Sequence, residues 1–258
     1  MRCMRRRFFV DRFDSSSATL VGETAEHLGR VLRAEPGQLY ELSDGERVWL
    51  ARVESVALPK RGEKRIEFAL VEPIESREPA LQLHLLVSLV KFDRFEWCLE
   101  KATELGVTEI VPLAAARTDK PLIAAAQRRW ARWERILAES AQQSRRLRPP
   151  VLRASLDAAR KGQAPSPVRP EAAFSQATAA CKILLSERRE AKLIRDVLTV
   201  YAEPVAALAI GPEGGWTDDE FAAAARAGFA EASLGENVLR TETAVLAGAA
   251  ILHFTLGE

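Results

Sequence analysis

From residue 81 onward short apolar runs alternate with helical stretches, and few architectures satisfy that alternation. Leu81, Leu83, Leu85, Val87 and Leu89 mark a strand, after which Phe95, Leu99, Ala102 and Leu105 share one face of a helix that Gly106 stops. A strand over Val107 to Leu113, a helix around Arg128 to Gln143, and apolar strands at Lys182 to Leu185 and Val205 to Ile210 continue the series. Thr217-Asp218-Asp219-Glu220 is a capping box that opens a helix ending at Ala227. Ala232 to Leu234 reads as a brief strand and Thr241 to Phe254 as a closing helix. Strands joined by helices predict an α/β fold with a mostly parallel sheet.

The first 75 residues follow a different pattern. Leu39 to Leu42 and Val48 to Val53 flank Ser43-Asp44-Gly45-Glu46, a strong hairpin signal. Arg65 to Val71 alternates as a third strand, and Glu23 to Arg33 reads as a short helix ended by Pro36-Gly37. Several short strands in so few residues predict a small β-barrel. Glu72 to Pro79, polar and with two prolines, is the expected linker between a domain over 1–75 and one over 80–258.

Composition excludes several classes. With 47% hydrophobic residues and a net charge of +1, the chain is not intrinsically disordered. The longest uncharged apolar run, Thr243 to Leu256, is shorter than the roughly 20 residues a membrane span needs. Arg2, Arg5, Arg6 and Arg7 are followed only by Phe8-Phe9-Val10 before Asp11, too little for a secretory signal. Three scattered cysteines, Cys3, Cys98 and Cys181, argue for a reducing cytoplasm over a disulfide framework. Three isolated histidines and no zinc-type spacing predict no metal site. The charge is uneven: residues 1–13 and 127–153 are rich in arginine, which suits either a polyanionic partner or a solvated helix face.

Two loops fall where parallel sheets bind ligands, at the carboxyl ends of strands. Ile210-Gly211-Pro212-Glu213-Gly214-Gly215-Trp216 brings bare backbone close to a neighbour. It lacks the Gly-Lys-Ser/Thr of a P-loop and the spacing of a dinucleotide fingerprint, and Glu213 repels a pyrophosphate. A neutral or cationic ligand fits it better; a plain strand-to-helix turn is the other reading. The second loop runs from Leu234 to Ala244 and puts Arg240 at a helix start, where the dipole disfavours a cation. That placement suits either a functional charge or a surface pair with Glu242 or Glu236.

Gly211-Pro212-Glu213-Gly214-Gly215, followed by Leu234-Gly235 and Val238-Leu239-Arg240-Thr241-Glu242-Thr243-Ala244, resembles the 16S ribosomal RNA (uracil-N3)-methyltransferases of the SPOUT superfamily. His27 to Arg33, Lys101 to Val107 and Gln143-Ser144 extend the resemblance over nearly the whole chain. Arg145 departs from it, since the family often has Gly after Gln-Ser, and Ala116 to Lys120 is a loose version of the usual segment.

The resemblance implies an N-terminal PUA-like β-barrel and a C-terminal domain with a trefoil knot. It implies S-adenosylmethionine as cofactor, 16S rRNA of the small ribosomal subunit as substrate, and a homodimer with the cofactor near the subunit interface. The cofactor would lie among Leu185 and Ser186, then Ile210, Gly211, Glu213, Gly214 and Gly215. Leu234, Gly235, Val238, Leu239, Arg240 and Thr241 would complete the cradle. Arg240 would stabilise the uridine anion and Glu242 would accept its proton, while Arg5, Arg6, Arg7, Arg30, Arg33, Arg145 and Arg146 would contact RNA. Ribose 2′-O-methylation and non-catalytic RNA binding are the alternatives.

Overall fold

The computed structural model describes residues 6–160, 162–200 and 204–257. The chain divides into two compact units, one running to Glu78 and completed by Ala141–Pro149, the other made of Pro79–Ser140 and Pro150–Glu258.

The first unit is a curled five-stranded sheet, a half-barrel. Its strands are β1 (Arg7–Phe9), β2 (Ser17–Val21), β3 (Leu39–Ser43), β4 (Val48–Ala57) and β5 (Arg65–Ile74), in the order β1-β3-β4-β5-β2. The β3–β4 hairpin turns as its sequence predicts. The Asp44 carboxylate accepts from the backbone N–H groups of Glu46 and Arg47 at 3.1 and 2.7 Å, and Gly45 has φ +90°. Phe8, Leu28, Leu42, Ile66 and Phe68 form the core. The expected helix begins as α1 (Gly22–Glu26), widens into a π-helical stretch over His27–Val31, and ends where Arg33 adopts φ +53°. β5 runs through Pro73 and Ile74, so part of the expected linker is strand. β2 pairs with β5 only as far as Ala69, so Pro73 lies where a missing N–H is tolerated.

The second unit alternates strands and helices. β6 (Gln82–Ser88), α2 (Phe92–Glu104), β7 (Glu109–Leu113), α3 (Lys120–Gln143), β8 (Val151–Leu152), α4 (Leu156–Arg160) and α5 (Pro170–Gln176) come first. They are followed by β9 (Cys181–Leu185), β10 (Lys192–Leu193), α6 (Ile194–Leu198), β11 (Val205–Ile210), α7 (Asp218–Arg226), β12 (Ala230–Ser233) and α8 (Thr241–Leu256). Every pairing is parallel, in the order β10-β12-β9-β11-β6-β7-β8.

The central strands are buried on both faces, as a parallel sheet requires. Leu83, Leu85 and Leu208 face a cluster that includes Phe95, Trp133 and Val245 from α2, α3 and α8. Leu86, Ala207 and Ala209 face Phe174, Trp216 and Phe229 on the other side. α8 packs closely on the sheet at Gly248, where an added Cβ would meet Leu208 Cδ2 at 2.8 Å. α3 starts eight residues before the expected Arg128; Pro121 sits in its first turn, where no intrahelical N–H is required. Burial pushes the Cys98 and Cys181 thiols up, to about 12 and about 11, so both are poor nucleophiles. Among the described residues no helix is long and apolar enough to cross a membrane.

The capping box of α7 forms in full. Glu220, buried, accepts from the Thr217 N–H at 2.8 Å and from the Ala116 N–H at 2.8 Å, while Thr217 Oγ1 accepts from the Glu220 N–H. Glu220→Ala is expected to destabilise the protein by about 1 kcal/mol, because it removes the capping box and the tie to the Ala116 N–H. Thermal unfolding measures this; a melting temperature within about 1 °C of wild type would contradict it.

Candidate functional site

The carboxyl ends of β12, β9 and β11 lie side by side in the sheet, and the loops leaving them meet the start of α8. The cavity they enclose is open to solvent, with about 710 Å³ of space when that opening is included. Leu185, Ser186, Ile210, Gly211, Glu213, Gly215, Leu234, Gly235, Val238, Leu239 and Thr241 all line it. Gly214 does not. An added Cβ there would meet Arg117 Cβ at 3.1 Å, so this glycine makes room for a protein side chain. Gly211 likewise lies against the Trp216 indole, with 3.1 Å to an added Cβ, whereas Gly235 has φ +135° and open space beyond it.

Hydrogen bonds tie the loops together. The Trp216 indole N–H donates to the Leu185 carbonyl at 3.1 Å, joining the ends of β9 and β11. Thr241 Oγ1 donates to the Gly211 carbonyl at 3.1 Å, joining α8 to the glycine loop. Ser233 Oγ donates to the Gly235 carbonyl at 2.8 Å and holds the third loop. Arg117 donates to the Gly214 carbonyl at 2.8 Å from outside the cavity. Gly215 has φ +70°, a conformation that strains any other side chain.

Charge distribution narrows the ligand class. Glu187, Glu213 and Glu236 line the cavity, and among the described residues no lysine or arginine does. A phosphate would meet repulsion there, and a cation would be welcome. Among the described residues no cluster of His, Cys, Asp and Glu suits a metal ion.

The two residues expected to act chemically sit at the cavity's edge. Arg240 is the N-cap of α8, its side chain 70% exposed, and it does not line the cavity. Its Nη1 is 4.0 Å from Glu242 Oε1. Glu242 is largely buried, and its Oε2 has no hydrogen-bond partner among the described residues. Arg94, in the first turn of α2, approaches both Glu213 and Glu242. Sequence reading missed Arg94, Arg117, Trp216, Ser233 and Asn237. Trp216 and Asn237 adjoin residues already singled out, but Arg94 and Arg117 come from distant segments.

The arginines expected on RNA divide into groups. Arg7 is a correction: only 8% of it is exposed, and its guanidinium is held by Glu41 at 3.0 Å and by the Arg145 carbonyl at 2.7 Å. As part of β1 it points into the first unit, where the Glu41 carboxylate offsets its charge. Phe8 is likewise core. Arg6 reaches the Gln143 side-chain amide. Arg30 is half-exposed and paired with Glu26, and Arg33 is exposed. Arg145 is exposed, with φ +54°, and approaches Glu41 at 3.7 Å. Burial and the charge of Arg148 lower the Arg146 guanidinium to about 10. Arg5 lies outside the described residues.

Comparison with known proteins places this geometry. Residues 77–253 match a family model described as an RNA methyltransferase domain. The ribosomal RNA small subunit methyltransferase E of a Synechocystis strain is 33% identical over 232 residues, 89% of this chain and 70% of that protein. The crystal structure of a ribosomal RNA small subunit methyltransferase E from Neisseria gonorrhoeae bound to S-adenosyl methionine superposes with a TM-score of 0.80, at 30% identity and 98% coverage of both chains. A Legionella pneumophila methyltransferase structure in complex with the same cofactor gives 0.79 at 30% identity, covering 98% of this chain and 99% of that one.

Proposed function

Because the chain belongs to the ribosomal RNA small subunit methyltransferase E family, we propose that it methylates N3 of a uridine in 16S ribosomal RNA. The coarser activity, S-adenosylmethionine-dependent methylation of small-subunit ribosomal RNA, follows from the family itself. The observation that carries the finer reading is an acidic, glycine-lined cavity with no basic lining residue, with Arg240 and the unpartnered Glu242 oxygen at its edge.

The residues present fit the cofactor. Open space beside Gly235 admits a ligand against bare backbone, and Glu213 with its neighbouring carboxylates suits a sulfonium rather than a phosphate. When bound, S-adenosylmethionine supplies an electrophilic methyl group. The chain's own residues must make uridine N3 nucleophilic. Glu242 Oε2, buried and without a partner, accepts the imide proton. Arg240, projecting beside it, stabilises the negative charge that spreads over N3 and the flanking carbonyl oxygens. The lone pair freed on N3 would then form the new N–C bond as the methyl–sulfur bond breaks, its electron pair staying on the sulfur that leaves as a neutral thioether.

The substrate surface in this reading belongs to the first unit, a PUA-like half-barrel. Arg6, Arg30, Arg33, Arg145 and Arg146 meet phosphates, and Arg7 positions the Arg145 backbone from within. A homodimer is supported by apolar side chains left exposed on α2 and α8, Trp97 and Phe254. Cytoplasmic location follows from a ribosomal substrate.

The test is incubation with small ribosomal subunits and labelled S-adenosylmethionine, followed by nucleoside mass spectrometry. N3-methyluridine is the expected product. A ribose-methylated nucleoside would establish the 2′-O alternative, and absence of cofactor binding by calorimetry would leave a non-catalytic RNA-binding protein.

A further inference from the structure

Arg94 lies 119 residues from Glu213 in sequence, yet its Nη1 comes within 3.5 Å of Glu213 Oε1 and its Nε within 3.9 Å of Glu242 Oε1. Glu213 belongs to the glycine loop and Glu242 to the first turn of α8. One guanidinium therefore spans two walls of the cavity. It stands in the first turn of α2, where the helix dipole opposes a cation, so its place there is not set by helix stability. Its side chain is 31% exposed, and the two carboxylates offset its charge. Glu242 in turn lies between Arg94 and Arg240, at 3.9 and 4.0 Å. A planar fork can address two carboxylates at once; an ammonium acts as a single point charge.

We propose that Arg94 is a positioning residue for methyl transfer, aiming Glu213 at the cofactor and Glu242 at the substrate by holding both carboxylates with one guanidinium. This rests on the methyltransferase reading above and adds to it a residue outside the cavity lining. Arg94 does not line the cavity. It fixes the spacing between the glycine loop and the start of α8, which the Thr241–Gly211 hydrogen bond alone pins at one point.

Charge and positioning make opposite predictions, which gives the test its force. If Arg94 mattered only as a charge, removing a cation near an acidic cavity would tighten binding of S-adenosylmethionine, a sulfonium, and leave S-adenosylhomocysteine, a thioether, almost unchanged. Positioning predicts that Arg94→Ala weakens both ligands by about tenfold, as loss of a charge-assisted tether should. Arg94→Lys should recover only part of that affinity. Glu213→Gln should weaken binding in the wild-type background but add little in the Arg94→Ala background. Calorimetric titration of the full chain with each ligand reads these effects, and thermal unfolding confirms that each variant is folded. Should Arg94→Ala fail to fold, Arg94→Lys and Arg94→Gln supply the same comparison. Wild-type affinity in a folded Arg94→Ala protein, or tighter binding of the sulfonium alone, overturns the inference while leaving the methyltransferase reading intact. A wild-type protein that binds neither ligand overturns both.

Discussion

Replacing Arg240 with alanine is expected to slow single-turnover methyl transfer by about 10²-fold while leaving cofactor affinity within roughly a factor of three. Both halves follow from its placement. Its side chain is 70% exposed and does not line the cavity, so cofactor contacts survive its loss. As N-cap of α8 it makes no side-chain capping hydrogen bond, so the helix loses nothing it depends on. What disappears is a cation beside Glu242, where the imide proton leaves and negative charge develops in the proposed reaction. Rapid-quench turnover and calorimetry separate the two effects. Wild-type turnover would remove Arg240 from the mechanism, and a matching loss of cofactor affinity would make it a binding residue instead.

Trp133→Ala is expected to be the most destabilising single truncation in the second unit, at about 4 kcal/mol, lowering the melting temperature by roughly 10 °C. Trp133 is fully buried, and its ring centroid lies 4.8 Å from that of Phe95, 5.6 Å from Trp130 and 6.0 Å from Phe92. The cavity left behind cannot refill from polar neighbours, since the surrounding cluster is apolar. Phe92 and Phe95 flank Arg94 on α2, so the same truncation should also loosen the cofactor site, and affinity should fall along with stability. A shift of less than about 2 °C by calorimetric scanning would show that the cluster collapses around the void.

These expectations draw on features that were unequally legible before the fold was known. The β3–β4 hairpin and the start of α7 were readable because Asp44-Gly45 and Thr217-Glu220 are complete within a few residues, and each makes the hydrogen bonds its spacing predicts. The start of α3 was not. Pro121 resembles a stop, and Ala124-Ala125-Ala126 offers no polar and apolar faces to reveal the period. Arg7 reads as one of a basic run, but it is buried beside the core residue Phe8 because Glu41 of the neighbouring strand and the Arg145 carbonyl, distant in sequence, hold its guanidinium. Ala141–Pro149 joins the first unit from a distant part of the chain, which no local pattern announces.

The site divides the same way. Cavity residues from the glycine loop and from Leu234 to Thr241 were visible because each loop carries its own glycines at a strand end. Arg94 was invisible because its meaning lies in Glu213 and Glu242, which only tertiary structure brings near. A local clue existed: Arg94, like Arg240, is a cation at a helix start.

The seating of α8 against β11 at Gly248 has an outcome for how variants of this protein should behave. An added Cβ there would meet Leu208 Cδ2 at 2.8 Å and Leu185 Cδ1 at 3.3 Å, so a side chain makes those leucines shift or eases the helix away from the sheet. Position 248 is two turns from Thr241, roughly 10 Å along the axis, and the helix is stiff over that length. Displacement at this mid-helix position is therefore expected to carry to the end that bears Thr241. Ligand affinity in this scaffold is therefore expected to respond to side-chain volume at a position outside the cavity lining, which calorimetric titration of Gly248→Ala against wild type measures.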